Sequence, residues 1–369
     1  MKLPIYLDHH ATTPCDQGVI DMMAPYFGVA QFGNANARNN HHGRVAAQAV
    51  KAAKAQIASL INGNPDHIVL TSGASEANML AFQEISPKEG RNEILISALE
   101  HASILDQIPS LRARGFIVHI ILSTKGGIIT PDAVATLINN KTVMVCVMLA
   151  NHEIGTIQPM RDIAQLAHQH GAQLHCDATQ AVGKIPVDVL ALGADSISFS
   201  AHKIYGPQGI GALYTTKPIK RGGTTPLALA VGFGAACELA KQRMAANSSR
   251  MQELTALLLQ YLPECQVNSG HLPGLLNLVL PNVNAEDLLL ELSHDLSLST
   301  GAACASGTGK PSTVLRAIGL DDISINSSIR ISIGRNTTRD EIIYAADKIT
   351  TAYLQMTKQH SLSKKSALS

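Results

Sequence analysis

Ser198-Phe199-Ser200-Ala201-His202-Lys203-Ile204-Tyr205-Gly206-Pro207 carries the reading of this chain. The short apolar run Ser196–Phe199 has the length of a strand, and a single lysine, Lys203, follows it beside Ser200 and His202. Glycine-rich chain and a second short strand, Gly211–Tyr214, come next. A lysine in that place is either an ordinary solvated residue or an amine positioned for covalent chemistry.

Working outward, strands and helices alternate. Upstream lie strands at Ile68–Leu70, Glu93–Ser97, Phe116–Leu122, Val143–Leu149 and Gln173–Asp177. Between them helices are expected at Ser75–Ile85, Ala102–Arg114, Pro131–Ile138 and Met160–His170. Pro131 sits in a first turn, where its missing N–H costs nothing. The apolar runs lack strict period-two alternation, which suits strands covered on both faces. A mostly parallel, helix-flanked α/β sheet follows. Ahead of it stand a short strand at Ile5–Leu7, an Asn- and Gly-rich loop, and an Ala-rich helix over Gly43–Asn62.

Downstream a helical pattern runs from Thr225 to about Leu262. Strands are then expected at Gly274–Leu280, Leu296–Ser299 and Ser328–Ile333, with helices at Ala285–Leu292, Pro311–Ile318 and Thr337–Met356. This is a smaller α+β unit. The expected domains are 13–244, and 1–12 together with 245–369.

The chain has 369 residues, of which 46% are hydrophobic and 15% charged, a composition that supports large packed cores. Lys+Arg 29 against Asp+Glu 28 leaves a net charge of +1, so no electrostatic argument favours nucleic acid or an anionic membrane. Six scattered cysteines with no C-x-x-C pair argue against a metal site and a disulfide framework. The opening M-K-L-P-I-Y-L-D has no signal or transit character, and no apolar run approaches the roughly 18 residues of a membrane span. A reducing cytoplasm is the expected compartment.

In open α/β sheets, ligands bind at the C-terminal ends of the strands. After Ile68–Leu70 comes T-S-G-A-S-E-A-N, whose Gly73, Ala74 and Ser75 open a helix and form a phosphate cup. After Glu93–Ser97 comes His101. After Val143–Leu149 come Asn151, His152 and Glu153. Asp177 ends its strand, with Thr179 and Gln180 beyond it. Ser200, His202 and Lys203 complete the set. Taken singly, each part has an ordinary reading as a helix cap, a turn residue or a solvated side chain. Together, five strand ends deliver a phosphate cup, an imidazole, an amide, a carboxylate and a lysine to one sheet edge. Pyridoxal 5'-phosphate asks for those parts. His9–His10 and His41–His42 read as loop histidines without a role. Cys304 lies in the small-residue run S-T-G-A-A-C-A-S-G-T-G-K, a setting that exposes a thiol. Cys146, in V-M-V-C-V-M, has a buried structural setting.

These residues together resemble the NifS/IscS-like cysteine desulfurases of the class V aminotransferase superfamily, with the fold of type I pyridoxal-phosphate enzymes. The series runs over nearly the whole chain: Y-L-D-H-H-A-T-T-P, F-G-N, T-S-G-A-S-E-A-N, E-H-A-S-I-L-D, A-N-H-E-I-G-T-I-Q-P, H-C-D-A-T-Q-A-V-G-K, S-F-S-A-H-K-I-Y-G-P, S-T-G-A-A-C-A-S and I-R-I-S-I-G-R. The resemblance implies that Lys203 holds the cofactor aldehyde and Asp177 pairs with the pyridine nitrogen. His101 would stack on the ring and assist proton transfer. Gln180 would contact the phenolic oxygen, with Asn151 nearby at the substrate carboxylate. Ala74, Ser75, Ser200 and His202 would hold the phosphate, with Thr224 reaching the cofactor phosphate of a partner subunit in a homodimer. Arg330 would clamp the carboxylate of L-cysteine. Cys304 would take its sulfur as a persulfide for an acceptor protein such as an iron–sulfur scaffold, leaving L-alanine.

The chain departs from the pattern in three places. Only T-T-K-P-I-K stands between G-A-L-Y and R-G-G-T, where the family carries a longer glycine-rich segment with H-E-R. G-N-A-N-A-R-N-N-H-H replaces G-N-P-x-S-x-x-H, and the long acceptor-docking tail of the IscS branch is not expected here. The short segment motivates a second expectation, a weakened paralogue that serves as a cofactor-binding scaffold or sulfur carrier. A related class V aminotransferase or lyase is the third.

Overall fold

The structure is a computed structural model that describes residues 3–88, 90–217, 219, 222–301 and 311–366, with side chains described up to residue 358. Thirteen strands are found among these residues: β1 Ile5–Tyr6, β2 Ile68–Thr71, β3 Glu93–Ser97, β4 Ile117–Ile121, β5 Thr142–Cys146, β6 Gln173–Asp177, β7 Ser196–Ser200, β8 Gly211–Thr215, β9 Gln266–Val267, β10 Leu275–Val279, β11 Leu296–Ser297, β12 Ser299–Thr300 and β13 Ser328–Ser332.

The large sheet has the order β2-β8-β7-β6-β5-β3-β4. From β7 to β4 every pairing is parallel. β8 alone runs antiparallel to both its neighbours, because it returns from β7 through the short turn that follows Lys203. Every residue of β3, β7 and β8 is buried, which explains why their sequences show no polar alternation. Helices over His41–Leu60, Ala74–Gln83 and Met160–Gln169 cover the sheet. The Asn40 and Thr130 side chains cap the helices that begin at His41 and Pro131.

The second sheet is antiparallel, in the order β12-β13-β10-β9, and β1 pairs in parallel with β11. Ile5, Leu7, Leu258, Leu278, Ile329, Ile331 and Ile342 share the core around it, so the N-terminal residues pack with the C-terminal ones. The helix Leu227–Tyr261 takes part in both cores: Ala230 and Phe233 face the first, Leu254 and Leu258 the second.

Two expected elements are subdivided. Leu296–Ser299 breaks at Leu298 into β11 and β12, which pair with different strands. Ala102–Arg114 becomes two helices, Ala102–Leu105 and Ile108–Ala113, because Pro109 has no N–H to continue the first. The two-residue β9 and the helix Asp322–Asn326 were not expected, since neither carries a periodic apolar signal.

Candidate active site

The C-terminal ends of β2, β3, β6 and β7 open onto one cavity of about 600 Å³, within the range of small-molecule sites. At the end of β2 the Thr71 hydroxyl donates to the Gly73 carbonyl at 2.8 Å, and the Ser72 N–H donates to Glu76 Oε2 at 2.6 Å. The helix Ala74–Gln83 starts here without a side-chain cap, and Gly73, Ala74 and Ser75 line the cavity. A Cβ on Gly211 of β8 would lie 2.7 Å from both Cα and C of Gly73. Glycine at 211 is what lets the cup sit this close to the sheet.

After β3, His101 caps the helix Ala102–Leu105, its Nδ1 accepting the Ser103 N–H at 3.1 Å. The ring is thereby fixed at the cavity wall, with His152 edge-on at a centroid distance of 5.3 Å. Asp177, at the end of β6, is buried. Its Oδ1 accepts the Thr179 N–H at 2.9 Å and its Oδ2 accepts Asn78 Nδ2 at 2.9 Å. After β7 a single 3-10 turn, Ala201–Lys203, aims the lysine across the cavity. Lys203 Nζ donates to the carbonyls of His10 at 2.5 Å and Ala11 at 2.7 Å. Gln180 Nε2 also donates to the His10 carbonyl, at 3.0 Å, while its Oε1 accepts Lys184 Nζ at 2.6 Å.

Arg330 reaches the same cavity from β13. Alternation along I-R-I-S-I sends Ile329, Ile331 and Ile333 into the second core and Arg330 to the opposite face. Only 1% exposed, it donates from Nη2 to Asp8 Oδ1 at 2.7 Å and from Nη1 to the His152 carbonyl at 3.1 Å. Its Nε is buried without a partner among the described residues.

Burial dominates the electrostatics. It pushes the Glu100 carboxyl, beneath Asp177, up to about 8, with the Asp177 charge adding to the effect. It lowers His202 to about 4 and holds His10 well below its usual range, with the Lys184 charge adding in each case. It also pushes Lys184 well below the usual lysine range, reinforced by the charges of Lys203 and Arg330. Lys203 and Arg330 give the cavity wall a cationic character suited to an anionic ligand.

Ala74, Ser75, His101, Asp177, Gln180, Ser200, His202, Lys203 and Arg330 thus meet at one cavity. Asn151 does not line it. Its Oδ1 accepts the N–H groups of Glu153 and Ile154 at 2.8 and 2.9 Å, and its Nδ2 donates to the Leu99 carbonyl at 3.1 Å, so the amide ties its own turn to the loop after β3. Thr224 is exposed and lies away from the cavity of its own chain. Cys304 lies outside the described residues. His10, Ala11 and Thr12 line the cavity although His9–His10 carried no expected role. Asn78, Glu100 and Lys184 were also missed, because their work is done beneath the wall through other side chains. Their signal was only their place inside the strand-end motifs. Among the described residues no cluster of His, Cys, Asp or Glu suits a metal ion, and no helix is long and apolar enough to cross a membrane.

The chain is similar to known proteins over nearly its whole length. The sequence profile of Aminotransferase class-V matches residues 5–221 and 215–344, two stretches that meet at the short segment after β8. The cysteine desulfurase IscS of Ehrlichia chaffeensis is 38% identical over 388 residues, covering 98% of this chain and 94% of that protein. Among solved structures, a NifS-like protein superposes with a TM-score of 0.88 at 27% identity, covering 95% of this chain and 99% of that one. SspA in complex with cysteine superposes with a TM-score of 0.78 at 31% identity, covering 90% and 100%.

Proposed function

The chain belongs to the class-V aminotransferase family, among its cysteine desulfurases, and from that premise we propose that the cavity holds pyridoxal phosphate and removes sulfur from L-cysteine. The observation that carries this is the meeting of Lys203, Asp177, His101, Gln180 and the uncapped start of the Ala74–Gln83 helix at one cavity. The parts suit the group. The donor set pairs an amine with a carboxylate and an imidazole, and Gly211 leaves room for a phosphate cup that a Cβ would close. When bound, pyridoxal phosphate supplies the electron sink that amino-acid chemistry at Cα and Cβ requires.

In this reading Lys203 would hold the cofactor covalently and Asp177 would hold a proton at its ring nitrogen. His101 would lie against the ring and carry protons. Gln180 would offer its Nε2 to the phenolic oxygen, because its Oε1 is held by Lys184. Ser75, Ser200, His202 and the backbone at Ala74 bind the phosphate, and Thr224 serves the partner subunit of a homodimer. Arg330 receives the substrate carboxylate. Asn151 acts by holding the loop that presents His152. The Cys304 thiolate takes the substrate sulfur as a persulfide and L-alanine leaves. A cytoplasmic sulfur-acceptor protein of the iron–sulfur scaffold kind is the expected next partner. We read the domains as 13–244, and 1–12 with 245–369, on the strength of the two apolar cores that the Leu227–Tyr261 helix joins.

The test is alanine release from L-cysteine under reductant by wild type, Lys203→Ala and Cys304→Ala. Wild type should form alanine and sulfide, and both variants should lose this. Lys203→Ala with the cofactor absorbance and activity of wild type overturns the assignment. One observation favours a second reading, a weakened paralogue: only residues 216–226 connect β8 to the following helix, and Thr224 on them is exposed. Rapid alanine formation by the purified protein alone removes that reading.

A further inference from the structure

Asn78 sits in the first half of the Ala74–Gln83 helix and is fully buried. Its side chain links two groups that face the cavity. Nδ2 donates to Asp177 Oδ2 at 2.9 Å and to Ser103 Oγ at 3.0 Å. Oδ1 accepts from His175 Nε2 at 3.0 Å and from the Ser198 hydroxyl. A carboxylate only accepts, so Asp177 dictates which end of the amide faces it. Both N–H groups and both lone pairs of the amide are then used.

The donor–acceptor order propagates along each branch. His101 Nδ1 accepts the Ser103 backbone N–H at 3.1 Å, so it carries no proton and the imidazole proton is assigned to Nε2. Ser103 Oγ, which accepts from Asn78 and lies 2.9 Å from that nitrogen, is then left to donate to Nδ1 as well. On the other branch His175 gives its Nε2 proton to Asn78, and its Nδ1 accepts the Ser196 hydroxyl at 2.8 Å. Burial keeps that imidazole neutral, its pKa lowered to about 4.

We propose that Asn78 is a positioning residue that holds two groups together: it donates to the Asp177 carboxylate, and through the Ser103 hydroxyl it supports the Nε2–H tautomer of His101. The proposal rests on the pyridoxal-phosphate reading, in which those two side chains contact the ring. The ring nitrogen and the proton carrier on the ring face then answer to one amide, and a change at Asn78 is felt at both.

The experiment uses holoenzyme labelled with 15N-histidine and compares wild type, Ser103→Ala and Asn78→Asp, with His101→Gln to assign the resonances. Asn78→Asp is isosteric and turns both donors into acceptors, and two carboxyls this close share one proton. Ser103→Ala should move the His101 nitrogen shifts and leave the pH midpoint of the cofactor absorbance in place. Asn78→Asp should move the His101 shifts and raise that midpoint by about one pH unit, since a weakened counter-charge at the ring favours retention of the proton at Lys203. It should also lower kcat for alanine release by about 100-fold, with KM for L-cysteine within about threefold. Wild-type His101 shifts and an unmoved midpoint in Asn78→Asp overturn the proposal. If Asn78→Asp does not fold, unchanged His101 shifts in Ser103→Ala overturn it by themselves. Wild-type protein that takes up no pyridoxal phosphate refutes the cofactor reading instead, and the His101 shifts of that protein still decide the Asn78–Ser103 branch.

Discussion

Glu100→Gln measures the electrostatic design beneath the site. Glu100 is 1% exposed. Its Oε1 accepts the Met148 N–H at 2.6 Å, and its Oε2 is buried with no partner among the described residues. Burial, then the neighbouring Asp177 charge, raises the carboxyl from 4.5 to about 8. An unfolded chain ionises this group near 4.5, so between the two values the folded protein binds one proton more. Wild-type stability therefore falls as pH rises through that window, by up to about 1.4 kcal/mol per pH unit and by roughly 4–5 kcal/mol in all at pH 8. Glutamine does not ionise, so the stability of Glu100→Gln minus that of wild type should climb across the window and level off on either side.

Taking the difference cancels the depressed histidines His10, His175 and His202, which favour the fold as pH rises and are common to both proteins. The extra N–H of glutamine adds a constant offset of about 1–3 kcal/mol if it stays unpaired. The slope, not the level, is therefore the test. Urea unfolding of both holoenzymes at several values between pH 4.5 and 8 reads it directly. Parallel curves refute the claim that the fold holds Glu100 as a neutral acid beneath Asp177.

Two further outcomes follow from the geometry. Gly211→Ala forces a methyl to within 2.7 Å of the Gly73 backbone, so cofactor affinity should fall by about 10–100-fold, equivalent to roughly 1–3 kcal/mol. Equilibrium binding of pyridoxal phosphate checks it, and unchanged affinity contradicts the close-approach argument. Asp8→Asn removes the counter-charge of buried Arg330 while Ser299 remains beside it. It should lower stability by about 3 kcal/mol and increase the stabilisation gained from added L-alanine. Thermal unfolding with and without the amino acid tests this, and equal ligand stabilisation of both proteins refutes the role given to Arg330.

Much of this protein is decided locally. The strands and helices around the large sheet follow from apolar runs of strand length separated by periodic helical segments. Lys203, Asp177, His101 and the Gly73–Ser75 cup could be placed at one sheet edge because parallel strands end on the same side. Arg330 could be aimed away from the core because alternation along I-R-I-S-I permits only two faces. What lay beyond reach depends on contacts between segments far apart in the chain. The His10 carbonyl meets Lys203 and Gln180 only once β1 docks on β11 and the N-terminal loop crosses the sheet edge. Asn151 reads as a substrate ligand at a strand end, whereas in the fold its amide bonds the turn after it and the Leu99 carbonyl, two segments that only tertiary packing brings together. Asn78, Glu100 and Lys184 show no periodicity or spacing that marks them, because a buried polar side chain acquires its role from its partners. The side chains of the strand-end motifs that line the cavity were thus legible in the sequence, while the His10–Thr12 wall and the buried partners beneath it were decided by tertiary contacts.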